Sequence, residues 1–322
     1  MGCRPRRGIW VGLASVALIA GALTAVAVTP AQATNTAPVV SGLTAGFAMQ
    51  PAANGTSDTY QINAEITDAD TLLDLNTVTL CLYHTTQGTS TCSSTDAQNT
   101  MKIVWTQATN AFALTSGAST YWADQTSVSN YVATNTAMVM NFKFKISEAA
   151  LQGAWTAAVT ALDTSAGEDS AADANYSVAY YGAINTHRVP QDYGTLAKDA
   201  SATAQNISHG TLQANGASNI YYSVADLTDG TTTMTNAGGL VTAAPTVTEF
   251  ALDCLGGSAT YDNTGAVRIG AGATEVHSNI LTGGAVEGGN NTNVASCRLT
   301  SGGRVPAGTY SGAVTVTVGP AS

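Results

Sequence analysis

Charge is scarce in this chain of 322 residues: Asp, Glu, Lys and Arg make up only 10%, with 21 acidic residues against 11 basic. Three of the basic residues, Arg4, Arg6 and Arg7, crowd the start, and the others are scattered. A nucleic-acid partner is excluded on this ground, because neutralising phosphates takes a basic face. Catalytic signatures are missing as well. There is no G-x-S-x-G elbow and no H-E-x-x-H, and His84, His187, His209 and His277 have no local partners at ligand spacing. C-x-x-C spacing, which structural zinc sites use, is absent too. The expectation is a protein that is not an enzyme and has no resident cofactor.

Long apolar runs are confined to one place. Arg4, Arg6 and Arg7 precede an apolar stretch from Ile9 to Val28, which is followed by Pro30-Ala31-Gln32-Ala33. A positive segment, an apolar segment and an A-x-A site are the parts of a cleavable secretory signal. Residues 1–33 are therefore expected to be removed on export. Cys3 lies before the apolar run, where a lipoprotein cysteine would follow it. After Ala33 no apolar run approaches membrane length, so no membrane span is expected in the mature chain. A secreted, extracellular or cell-surface location follows.

Exposure to an oxidising compartment gives the remaining cysteines a role. Cys81 with Cys92 and Cys254 with Cys297 form two local pairs, read as structural disulfides. On the chain-entropy model the shorter loop stabilises by about 3 kcal/mol and the longer by about 4.

Alternating apolar and polar residues recur along the chain, separated by Gly, Asn, Asp and Ser, with no long stretch of 3.6-residue period. The fold class is therefore all-β. The clearest strand is Met138–Ile146, where Met140, Phe142, Phe144 and Ile146 share one face and Asn141, Lys143 and Lys145 the other. Further strands are expected at Thr59–Thr67, Thr77–His84, Met101–Thr106, Ala154–Leu162, Tyr176–Ile184, Ile220–Val224, Thr248–Cys254, Ala266–Ile269, Ser296–Thr300 and Thr309–Val318. Ser147–Gln152 is the one helical candidate in the first half. Thr228–Gly239 and Gly283–Asn293 read as loops because they are polar and Gly-rich. Pro190 interrupts the strand rhythm, which places two β-sandwich domains at 36–184 and 185–322.

Three segments carry a family likeness: Ala37-Pro38-Val39-Val40, Ile66-Thr67-Asp68-Ala69-Asp70 through Leu75-Asn76-Thr77-Val78-Thr79-Leu80, and Gly153-Ala154-Trp155-Thr156-Ala157-Ala158-Val159 through Asp163. On these the first domain resembles the immunoglobulin-like modules of prokaryotic cell-surface proteins. The resemblance implies a β-sandwich and a role in a surface layer, a filament or an adhesin. Cys81 and Cys92 depart from antibody-type domains, being too close in sequence to clamp two sheets together. They are expected to staple a hairpin or a strand-edge loop. The alternative role is a secreted module that binds carbohydrate or another ligand. With no anchor of its own, the mature chain is expected to be held by self-assembly or by other cell-surface components.

Asp68, Asp70 and Asp74 follow a predicted strand, and carboxylates so spaced are candidate ligands for calcium, with carbonyls and water completing six to eight oxygens. The competing reading is a solvated Asx-rich turn. Asp163, Glu168, Asp169 and Asp173 read as a second acidic loop. Asn54, Asn175, Asn206 and Asn290 stand in N-x-[ST] sequons, candidates for glycosylation.

Overall fold

Period-two alternation in the sequence becomes strand pairing along the chain. The structure, a computed structural model, describes residues 35–53, 58–86, 92, 98–116, 129–184, 191–258, 260–278 and 291–321. The expected signal at 1–33 lies outside them. The fold is all-β, with no α-helix among the described residues. Nor is any helix among them long and apolar enough to cross a membrane.

The first half contains β1 (Val39–Ser41), β2 (Ala48–Met49), β3 (Tyr60–Thr67), β4 (Leu75–His84), β5 (Thr100–Thr106), β6 (Ala111–Ser116), β7 (Asn130–Ala133), β8 (Ala137–Phe144), β9 (Gly153–Asp163) and β10 (Glu168–Val178). One sheet runs β1-β3-β8-β7 and the other β2-β10-β9-β4-β5-β6. Only β2 with β10 is parallel. The opening segment thus edges both sheets in turn. Ile62, Ala64 and Ile66 of β3 and Met140, Phe142 and Phe144 of β8 share one buried cluster with Leu80 and Leu82 of β4, Trp105 of β5 and Trp155 of β9. Each large apolar side chain fully removed from water contributes about 1.5–3 kcal/mol.

The second half contains β11 (Gly182–Ile184), β12 (Ser201–Ala214), β13 (Ser218–Val224), β14 (Leu227–Thr228), β15 (Thr233–Asn236), β16 (Glu249–Gly256), β17 (Val267–Arg268), β18 (Thr274–His277), β19 (Asn291–Ser301) and β20 (Val314–Pro320). Strands β11-β12-β19-β16-β15-β14 run in one order with β17 also on β16, and β18-β13-β20 form a separate small sheet. Phe250, Leu252 and Cys254 of β16 lie in a second buried cluster with Ile220, Tyr222 and Val224 of β13. Asn215, completely buried, ties the two halves together. Its Nδ2 donates to Ala150 O and Ala179 O, both at 2.9 Å, and its Oδ1 accepts from Tyr181 N at 2.7 Å.

Several expectations need correction. Glu168, Asp169 and Asp173 belong to an eleven-residue strand, β10, not to a loop. Their carboxylates are compatible with a strand because its acidic face meets backbone donors: Asp169 Oδ2 accepts from Val40 N at 2.8 Å and Asp173 Oδ2 from Gly46 N at 2.9 Å. The strand expected over Tyr176–Ile184 divides, since β10 ends at Val178 and β11 pairs with Leu212–Ala214 in the second half. Ser147–Gln152 is a turn without helix, closed by Ala150 N on Ser147 O. Within Thr228–Gly239, β15 buries Met234 and pairs with both β14 and β16. Part of Gly283–Asn293 is strand as well, because β19 begins at Asn291.

Candidate functional site

Four carboxylates, three close together in sequence and one from the end of a distant strand, meet at one corner of the first half. β3 stops at Thr67, after which Asp68 N bonds Thr136 O and Asp70 N bonds Asp68 Oδ1 at 3.0 Å. Thr71 then caps a single 3-10 turn, its Oγ1 accepting from Leu73 N at 3.1 Å. This turn delivers Asp74 to the start of β4. The next residue, Leu75, lies opposite Asp163 in the pairing of β4 with β9, and Thr164 N donates to Asp74 O at 2.8 Å.

Asp163 ends β9 by folding its carboxylate back on the chain. Its Oδ1 accepts from Ser165 N and Gly167 N, each at 2.7 Å, while Oδ2 accepts from Asn35 Nδ2 at 2.7 Å. Asp70 Oδ2 accepts from Thr36 N at 2.6 Å. The first described residues thus lie strapped between Asp163 and Asp70.

Compensation at this corner is incomplete. Asp68 is 1% exposed, yet its Oδ2 is buried with no hydrogen-bond partner, and so is Asp74 Oδ1. Burial first, then the Asp68 charge, push the Asp74 carboxyl above its ordinary range, and Asp163 and Asp70 add to the effect. Among the described residues neither ion pair involves these four carboxylates. Asp68, Asp70 and Asp74 are therefore neighbours, as the spacing implied. Among the described residues, however, no three acidic, His or Cys side chains converge into a ready-made metal cage. Asp163 joins the corner, whereas its sequence neighbourhood places it in a separate acidic loop. Only the register of β4 on β9 reveals that proximity.

In the second half Asp253, on β16, is completely buried between two arginines. Arg268 on β17 pairs with it through Nε, and Arg298 on β19 through Nη2 at 2.9 Å. Arg268 Nη2 also reaches Val241 O at 3.2 Å and Ala243 O at 3.0 Å. Arg298 lies over the Tyr261 ring, 5.0 Å from its centroid. Thr203, Ser258, Thr260, Tyr261 and Arg298 line an open groove of about 660 Å³. Sequence reasoning missed this cluster. Its signal was a charge within an apolar run, as in Leu252-Asp253-Cys254 and Val267-Arg268-Ile269.

Both disulfides form. Cys81–Cys92 ties β4 to the connection between the antiparallel neighbours β4 and β5, so it staples a hairpin. Cys254–Cys297 joins directly opposed residues of β16 and β19, with Cα atoms 4.1 Å apart. Of the sequons, Asn175 sits in β10 with Nδ2 donating to Asp173 Oδ1 at 2.6 Å. Asn54 and Asn290 lie outside the described residues, and Asn206 lies in β12 with its side chain outside them. Trp105 and Trp155 are core residues, 2% and 0% exposed.

No family model matches the chain, and no curated protein does. Among solved structures it is similar to dimeric latent PorU from Porphyromonas gingivalis, at 12% identity and a TM-score of 0.24, over 91% of this chain and 21% of that one. It is similar to the secreted serine protease VesC from Vibrio cholerae at 9% identity and a TM-score of 0.22, over 87% of this chain and 51% of the other. A DUF4466 family protein from Parabacteroides merdae gives 9% identity and a TM-score of 0.21, over 82% and 99%. Likenesses at this level assign neither fold family nor activity. The chain spans about a fifth of the first and half of the second.

Proposed function

We propose that this is an exported structural or adhesive cell-surface protein built from two β-sandwich domains, the first of them immunoglobulin-like. The observation that carries this reading is strand order. In β1-β3-β8-β7 and β2-β10-β9-β4-β5-β6 the opening segment pairs antiparallel with β3 at one sheet edge and parallel with β10 at the other. Variable-type immunoglobulin domains likewise divide their nine strands between two packed antiparallel sheets. Paired cysteines fit an oxidising exterior, and a surface poor in charge fits assembly through sheet edges and side chains. Retention at the surface then comes from self-assembly or from other surface components.

A second reading, a carbohydrate- or ligand-binding module, is supported by the groove beside Tyr261 and Arg298. Sugars stack on aromatic rings and bond to guanidinium, and both groups line this groove. Fractionation of the producing cell, with light scattering on the secreted protein at rising concentration, separates the two readings. Cell-surface retention and concentration-dependent oligomers support the structural role. A monomer found only in the medium, whose binding to polysaccharide is lost in Tyr261→Ala, favours the module.

A further inference from the structure

We propose that Asp68 and Asp74 are the protein ligands of a calcium ion that closes the corner formed by β3, β4, β9 and the opening segment. Asp68 Oδ2 and Asp74 Oδ1 are buried carboxylate oxygens without a donor, and an unsatisfied buried acceptor is costly, more so when charged. Every other carboxylate oxygen of the corner that has a contact accepts a backbone or amide N–H: Asp68 Oδ1, Asp70 Oδ2, and both oxygens of Asp163. The two orphans stand out against that background.

Two kinds of occupant compensate such oxygens, a proton shared between them or a cation. The charged groups acting on Asp74 come from the β3–β4 connection, as Asp68 and Asp70, and from the end of β9, as Asp163, and all are acidic. One shared proton offsets a single charge among four carboxylates, whereas a divalent ion offsets two. The donors are all oxygens, which selects a hard ion over zinc or copper. Calcium tolerates irregular shells and fills them with carbonyls and water, so two carboxylates suffice where no cage of three exists. Asp70 and Asp163 supply charge and, through Thr36 and Asn35, connect the ion to the opening segment. The proposal does not depend on the surface role.

The test uses the purified secreted chain, freed of metal with EDTA and titrated with calcium chloride in a calorimeter, with melting followed in parallel. The expected result is one ion per chain and a rise in Tm of several degrees. Asp68→Asn and Asp74→Asn should each weaken binding at least tenfold, and Asp169→Asn, whose carboxylate serves Val40 N instead, should leave it unchanged. Asp74→Asn removes a like charge, so the metal-free variant should fold and keep the test interpretable. Absence of binding at millimolar calcium, with a higher Tm at pH 4.5 than at pH 7 that Asp74→Asn abolishes, would assign the corner to a shared proton and overturn the proposal. Calcium binding unaffected in both Asn variants would overturn it as well.

Discussion

The two halves of this molecule bury carboxylates in opposite ways. Asp253 is enclosed by Arg268 and Arg298, and Arg268 spends its remaining donors on backbone carbonyls of the segment from Ala237 to Ala243. The charge of Asp253 is met inside the protein. Among the described residues Asp68 and Asp74 enter no ion pair, and one oxygen of each is left without a hydrogen-bond partner. A buried acid matched from within is a structural part, complete once the chain folds. One that is left unmatched needs something from solution, and that need is what distinguishes a binding site from a strut.

The contrast breaks most sharply at Asp253. Replacing it with Ala leaves Arg268, itself 8% exposed, buried against carbonyls with no counter-ion. Breaking such a pair from one side costs about 3–5 kcal/mol. Urea unfolding of Asp253→Ala should show a loss of that size, and a loss below about 1 kcal/mol would mean that solvent reaches Arg268. Replacing the trio together with apolar residues of similar volume should cost far less, because the cost lies in the stranded charge and not in the absence of the pair.

What the sequence made legible follows the same division between local and distant effects. Met140, Phe142 and Phe144 announce β8 because alternation is a local signal, and the cysteine pairing was readable because each partner was near in sequence. β12 passed unnoticed. Its Ala202 and Ala204 are too small to mark an apolar face, and the strand pairs with β19 and β11 along its length. β10 was misread because the amides of Val40 and Gly46, which its aspartates serve, are contributed by residues more than a hundred positions earlier. The acidic corner was half legible for the same reason. Asp68, Asp70 and Asp74 are adjacent in sequence, but Asp163 arrives only through the pairing of β9 with β4.

The unmatched corner yields a smaller effect, of opposite sign. The Asp74 carboxyl lies above its ordinary value in the folded protein, so the folded state holds a proton more tightly than the unfolded chain. Its contribution is fully present below the unfolded value of 3.8 and is lost as pH rises through the folded value. In calcium-free buffer Asp74→Asn should therefore stabilise at pH 7 and have little effect at pH 3.5. Equal stability of variant and wild type at pH 7 would show that the oxygen is hydrated and the corner already satisfied.

His84 gives the smallest effect and sharpens the comparison from a third direction, since it is buried and both ring nitrogens have partners in the neutral form. Its Nε2 faces Gln152 O at 3.1 Å and its Nδ1 accepts from Thr86 N at 3.3 Å. Both contacts are hydrogen bonds only if the proton sits on Nε2. The ring stands edge-on to Trp155, 5.7 Å between centroids, at the buried face of β4. Burial holds its pKa below the ordinary 6.5, and the Gln152 carbonyl offsets part of that. For a base with a lowered pKa the sign reverses relative to Asp74: the contribution is intact above 6.5 and fades as pH falls through the folded value. NMR titration should place the His84 midpoint below 6.5. Gly153, at φ +126°, holds the space beside this ring, for a β-carbon there would stand 2.8 Å from Nε2. Gly153→Ala should displace the imidazole from Gln152 O and open it to water, and with the burial relieved its midpoint should move up toward 6.5. A midpoint that stays put in the variant would mean that burial of the ring does not depend on the missing side chain at 153.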